Sequence, residues 1–367
     1  MSMTLVTHSL TVIEAGQATN GAYIACPSYS TYNYCWFRDG TFIAAAMDCW
    51  QKHASARRFY DWATSIVVTR TDAIERCLEN VAHERPLNPA DLLHTRYTLD
   101  GQQGDEEWPN FQLDGFGTLL WGLQRHMQLA NLQTMPLIWS KAADLLVRYL
   151  AALWQRPNSD CWEEFPEQIA VSTLATLYAG LHAISVAFEA NGQDARLATE
   201  TAQHIKTFIL SGGVKDGHLI KQINGEDVVD ASLLWACVPF HEHGVFQPED
   251  AVMQATVARI EQDLLGKLGG IHRYRNDTFY GGGEWVLLTA LLGEYYAATG
   301  NAAGVQNCLT FIETSADDQG HLPEQVSHAP LHPEFVAHWL ACWGPVARPL
   351  LWSHAAYLNL SASVPRG

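Results

Sequence analysis

The chain has 367 residues, of which 48% are apolar and 17% charged, and its 22 Lys+Arg against 39 Asp+Glu leave a formal net charge of −17. That apolar fraction excludes a mostly disordered chain, and the negative balance excludes a nucleic-acid partner, because nothing could neutralise phosphates along an extended path. Thirteen Trp, thirteen Tyr and thirteen Phe beside so few charges suit an uncharged, polyhydroxylated ligand, whose apolar faces cover well with flat rings.

Along the chain the recurring signal is apolar spacing of three and four, punctuated by Gly, Pro, Asn and Asp. It predicts twelve helices, over 4–16, 39–52, 55–82, 112–131, 135–155, 167–190, 193–211, 229–238, 247–264, 284–299, 301–316 and 350–361. Strand alternation is scarce, with short hairpins expected only at 215–223 and 272–280. Very short joins, as between 112–131 and 135–155, imply antiparallel neighbours. Six such pairs closing on themselves would make an all-α, α/α barrel whose alternate helices line the centre. An open helical solenoid is the alternative, and no repeat of fixed length supports it. No linker or charge block divides the chain, so a single domain over 1–367 is expected.

The start, MSMTLVTHSL, has no basic or strongly apolar leader, and runs such as Phe42 to Met47 fall far short of the roughly 20 residues that span a bilayer. A cytoplasmic protein with no membrane partner is expected. The eight scattered cysteines then read as reduced structural thiols.

The unusual residues gather in the long joins 17–38, 83–111, 156–166, 265–283 and 317–349, as they do when a helical scaffold carries its site on loops. Tyr32-Asn33-Tyr34-Cys35-Trp36-Phe37-Arg38-Asp39-Gly40 precedes a helix. Asp39 could cap that helix with Arg38 paired to it; equally, guanidinium and carboxylate could grip vicinal hydroxyls beneath a ring. Trp108 stands in a second aromatic loop that runs through Asp114-Gly115 into a helix. In Cys161-Trp162-Glu163-Glu164-Phe165 the adjacent carboxylates could be solvated charges at a helix start, or one carboxyl, pressed against Trp162, could keep its proton and act as an acid. Glu324, in His321-Leu322-Pro323-Glu324-Gln325, would alone pass for a surface carboxylate. His241-Glu242-His243 lacks a third metal ligand at useful spacing, Ser353-His354 nominates no triad, and Gly281-Gly282-Gly283 has no phosphate-loop spacing.

Taken in order, YNYCWFRDG, RYTLDGQQGDEEWPNFQLDG, WEE, VDASLLW, HRYRNDTFYGGGEWV, LPEQV and PLLWSHAAYLNL resemble glycoside hydrolase family 15, the glucoamylase family, from residue 32 to residue 360. The resemblance implies an (α/α)6 barrel and an inverting, exo-acting enzyme that releases glucose from non-reducing ends, with no metal or organic cofactor. It implies Glu163 as general acid and Glu324 as general base, with Glu164 on sugar hydroxyls. Arg38 and Asp39 would hold the terminal glucose, Tyr32 would join that binding set, Trp36 and Trp108 would wall the pocket, and Arg273 would reach the leaving-group side. An acid and a base on opposite faces of the bond need about 6.5–9.5 Å between them to admit water. Two departures from the family pattern bear on substrate. Neither a β-sandwich ahead of the barrel nor a starch-binding module is expected, and the stretch Phe165-Pro166-Glu167-Gln168-Ile169 replaces a Gly-containing, Phe-rich run, with Ser172 in the place of a Thr. The expected partners are therefore water and a small α-linked glucosaccharide, isomaltose or short isomalto-oligosaccharides first, with maltose, malto-oligosaccharides or trehalose as alternatives. A barrel that binds sugar without turnover is the reading from another class.

Overall fold

The computed structural model describes residues 4–104 and 106–363; Asp105, inside the second aromatic motif, and the ends of the expected 1–367 domain lie outside the described residues. Two compact units make up the chain, one from residues 17–23 and 34–212, the other from the N-terminal segment, residues 24–33 and everything from Gly213 on. Helix α1 (Leu5–Ala15), with Thr4 accepting the Thr7 N–H at its start, opens the second of these.

The unit of residues 34–212 begins with strand β1 (Tyr34–Trp36), then α2 (Phe37–Cys49), α3 (His53–Thr69) and α4 (Thr71–Ala82). Strand β2 (Arg96–Thr98), α5 (Asp114–Leu129), α6 (Leu137–Leu153), α7 (Val171–Ala190) and α8 (Arg196–Gly212) complete it. Helix α5 packs against α2 and α7, α3 against α2 and α6, and α8 against α7. The sequence of each helix explains its place. α2 is rich in Ala and buries every residue from Phe37 to Asp48, whereas α4 alternates Asp, Glu and Arg with apolar positions and buries only Ile74 and Cys77. α7, at 20 residues, is long and apolar enough to cross a membrane by composition, and 83% of its apolar window is buried inside the protein.

Helices α5 and α7 meet backbone to backbone. A Cβ on Gly117 would stand 2.6 Å from the Thr176 carbonyl oxygen, and one on Gly180 would collide with the carbonyl oxygen of Gly117. Both glycines are therefore there for close approach rather than for chain flexibility.

The other unit continues with β3 (Val214–Lys215), β4 (His218–Leu219), α9 (Ala251–Leu264), β5 (Glu284–Trp285), α10 (Val286–Ala298), α11 (Ala302–Ser315), β6 (Gln325–Val326), α12 (Val336–Trp343) and α13 (Leu351–Ser363). Here α10 packs against α11 and α13, and α1 against α13.

Thirteen α-helices lie among the described residues, and four expectations need correction. The single helix over 55–82 is two, parted at Arg70, whose Nη2 reaches the Gly101 carbonyl while Thr69 and Thr71 bond back into the preceding turn. Residues 229–238 make only a six-residue 3-10 helix, Ala231–Ala236, started by Asp230 on the Ser232 N–H and stopped short of Pro239, which lacks a donor. The stretch 272–280 is no hairpin, because Asp277 takes the Arg273 guanidinium and the Phe279 N–H and turns the chain into a short 3-10 helix, Phe279–Gly281. The long join 317–349 contains α12, a helix with no buried residue. The hairpin at 215–223 is present, with Asp216 and Gly217 both at positive φ in its turn. All eight cysteines are thiols outside any disulfide, six of them buried.

Candidate active site

In the unit of residues 34–212, Glu163 sits in a loop knotted by Asp160. The Asp160 carboxylate, 3% exposed, accepts the N–H groups of Trp162 (3.0 Å) and Glu164 (3.1 Å), its own N–H donates to the Glu164 carbonyl (2.9 Å), and the Glu163 N–H returns to the Asp160 carbonyl (2.9 Å). Those bonds hold Glu163 (φ 69) and Phe165 (φ 53) in left-handed backbone, a conformation that costs a non-Gly residue about 1–2 kcal/mol. The strain aims the Glu163 side chain, whose Oε1 accepts from Trp36 Nε1 at 2.7 Å and from Gln112 Nε2 at 3.2 Å. The indole on the carboxylate thus comes from β1, far away in sequence.

Behind Glu163 lies a buried polar chain. Gln112 Oε1 accepts from Arg38 Nη1 (3.1 Å) and Thr95 Oγ1 (3.1 Å), and Arg38 Nη1 also donates to Asp114 Oδ2 (3.0 Å). Asp39 stands in the first turn of α2 and is not its cap, a place taken by Trp36. Its Oδ2 is 3.4 Å from Arg38 Nε. Burial pushes the Asp39 carboxyl up to about 7; Arg38 pulls it down, while Glu163 and Asp114 add repulsion.

Trp36 pairs in register with Arg96 across β1 and β2. The Arg96 guanidinium lies 3.6 Å from the ring centre of Trp108 and 4.0 Å from that of Tyr34, tied at its end to Glu106 at 2.9 Å. Trp36 meets Trp108 edge-on at 6.1 Å, so the two make one continuous wall, stiffened by a cation between aromatic faces. Trp36, Arg38, Asp39, Trp108 and Glu163 are thereby brought together, with half-buried Glu164 next along the knotted loop.

Tyr32, Arg273 and Glu324 belong to the other unit. Glu324, 4% exposed, receives the Tyr32 hydroxyl on Oε1 at 3.0 Å, and the Tyr32 ring packs 4.7 Å from Tyr29, whose hydroxyl meets that of Tyr280 at 2.9 Å. A cleft of about 610 Å³ opens beside Tyr29, lined also by Trp343 and Arg348. Glu324 leads directly into β6, which pairs with β5, and Arg273 packs 5.2 Å from the Trp285 ring on β5. The Arg273 guanidinium is held from both ends by Asp277, Nε donating to Oδ2 at 2.7 Å and Nη2 to Oδ1. The triple glycine is a reversal: Gly281 (φ 78) and Gly282 (φ 70) take left-handed backbone before β5.

Of the polar residues in these surroundings, Asp160 was not singled out from sequence, whereas Gln112, Asp114 and Asp277 stood inside motifs without a role of their own. Gln112 and Asp114 lay inside the second motif, and their signal was two polar groups at the start of a helix that is buried from Asp114 to Leu123. Among the described residues, no group of three His, Cys, Asp or Glu is arranged to hold a metal ion.

One unit thus holds a carboxyl bonded by an indole, with a buried Arg/Asp pair and an aromatic wall beside it, and the other holds a buried carboxylate under a tyrosine. The chain matches the model of Glycosyl hydrolases family 15 over residues 2–317, and it belongs to that family. It is 41% identical to an isomaltose glucohydrolase of Kribbella flavida, over 97% of this chain and 91% of that one. A glycosidase solved in complex with glucose superposes with a TM-score of 0.92 at 41% identity, covering 98% of this chain and 95% of the other. A glucoamylase from Saccharomycopsis fibuligera, at 15% identity, superposes with a TM-score of 0.72 over 98% of this chain and 94% of its own. The fold class is accordingly the glucoamylase-type (α/α)6 barrel, and the protein is a glycoside hydrolase.

Proposed function

We propose that this protein is an inverting, exo-acting hydrolase of isomaltose and short isomalto-oligosaccharides, with Glu163 as general acid and Glu324 as general base. The observation that carries the substrate is the near full-length kinship with an isomaltose glucohydrolase. The mechanism follows from what each carboxyl can do. Glu163 delivers its proton to the leaving glycosidic oxygen, and its Oε1, already committed to Trp36, leaves Oε2 for that task. Glu324, oriented by Tyr32, takes a proton from water attacking the opposite face. Trp36 and Trp108 cover the sugar's apolar face, while Arg38, Asp39 and Glu164 accept or donate to its hydroxyls and Arg273 serves the leaving-group side.

Purified protein given isomaltose, maltose, trehalose and soluble starch should release glucose fastest from isomaltose. Proton NMR in the first minutes should register the β anomer, since single displacement inverts an α linkage. Initial α-glucose would exclude this acid–base pair. No glucose from any substrate would leave a sugar-binding barrel, and faster starch turnover would move the substrate while keeping the chemistry.

Asp39→Asn separates a sugar clamp from a structural role. As a clamp, the residue loses a charge-assisted bond to a hydroxyl, and kcat/KM should fall at least about tenfold on every substrate. Stability should move the other way. A carboxyl held up near 7 in the fold, against 3.8 in the unfolded chain, contributes stability below 3.8 and loses it as pH rises through 7. The Asn variant should therefore melt no lower than wild type at pH 8 and gain nothing at pH 4. Normal activity with a lowered melting temperature would assign Asp39 to scaffolding alone.

A further inference from the structure

The motif Leu351-Trp352-Ser353-His354-Ala355 forms the start of α13, and its two polar side chains have no contact with solvent: Ser353 and His354 are both 0% exposed. Each makes a hydrogen bond to the same short piece of backbone. Ser353 Oγ donates to the Pro323 carbonyl at 2.8 Å, and His354 Nε2 accepts the Leu322 N–H at 3.1 Å. Consecutive residues of one helix thus grip consecutive residues of the segment that ends in Glu324. Two backbone bonds flank the grip, Leu350 N–H to the Leu322 carbonyl (3.0 Å) and Glu324 N–H to the Ala347 carbonyl (3.0 Å).

The ring's protonation state follows from the donors. A backbone N–H can only donate, so Nε2 carries no proton and Nδ1 does, facing Ser9 Oγ on α1 at 2.8 Å. A protonated ring would point a second N–H at the Leu322 N–H. Burial, then repulsion from His8 and His321, opposes that state and brings the His354 pKa down to about 3, with Asp317 pulling weakly the other way.

We infer that Ser353 and His354 are positioning residues for the reaction, acting through the Leu322–Pro323 backbone to fix the Glu324 carboxylate against its water; this rests on the reading of Glu324 as general base. Two side-chain anchors directly ahead of it supply, for an irregular segment, the rigidity that a catalytic carboxylate needs to within a fraction of an ångström.

The test is a double-mutant cycle on isomaltose. His354→Phe removes the acceptor and keeps a ring, His354→Gln keeps an acceptor, and Ser353→Ala deletes one hydroxyl; each is made in the wild-type chain and with Glu324→Gln. In the wild-type chain, His354→Phe and Ser353→Ala should lower kcat roughly 10–100-fold with KM nearly unchanged, and His354→Gln should recover most of the loss. Combined with Glu324→Gln they should cost nothing further, because the residue they position no longer accepts a proton. Equal losses in both backgrounds, a change confined to KM, or no change would overturn the inference. Should His354→Phe fail to fold, Ser353→Ala decides alone. If Glu324→Gln retains near wild-type turnover, the base assignment falls, and the inference with it. Failure of the positioning role alone leaves the Glu324→Gln loss in place.

Discussion

Glu163→Gln lowers turnover of isomaltose by about 10²–10⁴-fold, the usual share of a single general acid. The amide oxygen can still accept the Trp36 and Gln112 N–H groups that Oε1 accepts, and glutamine occupies the left-handed backbone no worse than glutamate, so the loop keeps its shape. What disappears is the proton for the leaving oxygen. α-Glucosyl fluoride, whose leaving group needs little protonation, should suffer much less. Steady-state rates on the two substrates read the contrast, and an equal loss on both would remove Glu163 from the acid role and make it a binding residue.

Gly180→Ala gives the largest expected loss of stability, on the order of 3 kcal/mol, at the upper end of ordinary overpacking. The new methyl meets the Gly117 carbonyl oxygen, a backbone atom that no rotamer change can withdraw, so α5 and α7 must move apart along buried faces. Gly192→Ala is the matched comparison. Its φ of 69 strains an alanine, but nothing stands within 4 Å of the added carbon, and a loss of about 1 kcal/mol is expected. Melting curves of both variants decide the matter: a Gly180 variant as stable as the Gly192 variant would mean that the two helices slide apart freely.

Most helices were legible because each carries its periodicity within itself. The departures have local causes that periodicity does not register. Arg70 breaks one long pattern through bonds to a distant loop, and Ala231–Ala236 is as apolar as any helix but too short before Pro239. Helix α12 was hidden among Pro, His and Gly, and strands of two or three residues are too short to alternate visibly. The site divides the same way. Trp36, Arg38, Asp39 and Glu163 stood out as residue types, yet the contact that orients Glu163 joins residues 127 apart in sequence, which no spacing reveals. Asp160 stayed invisible for the opposite reason, since an Asp in a turn is the commonest of turn residues and its four-bond knot exists only once the loop is folded.

The hydrogen bond from Trp36 Nε1 to Glu163 Oε1 has one more consequence. An indole emits light, and the energy of its excited state depends on the charge at the end of its N–H. Trp36, one of the chain's thirteen indoles, is therefore an optical probe placed on the acid itself, and exchanging Glu163 for a neutral side chain should shift its emission.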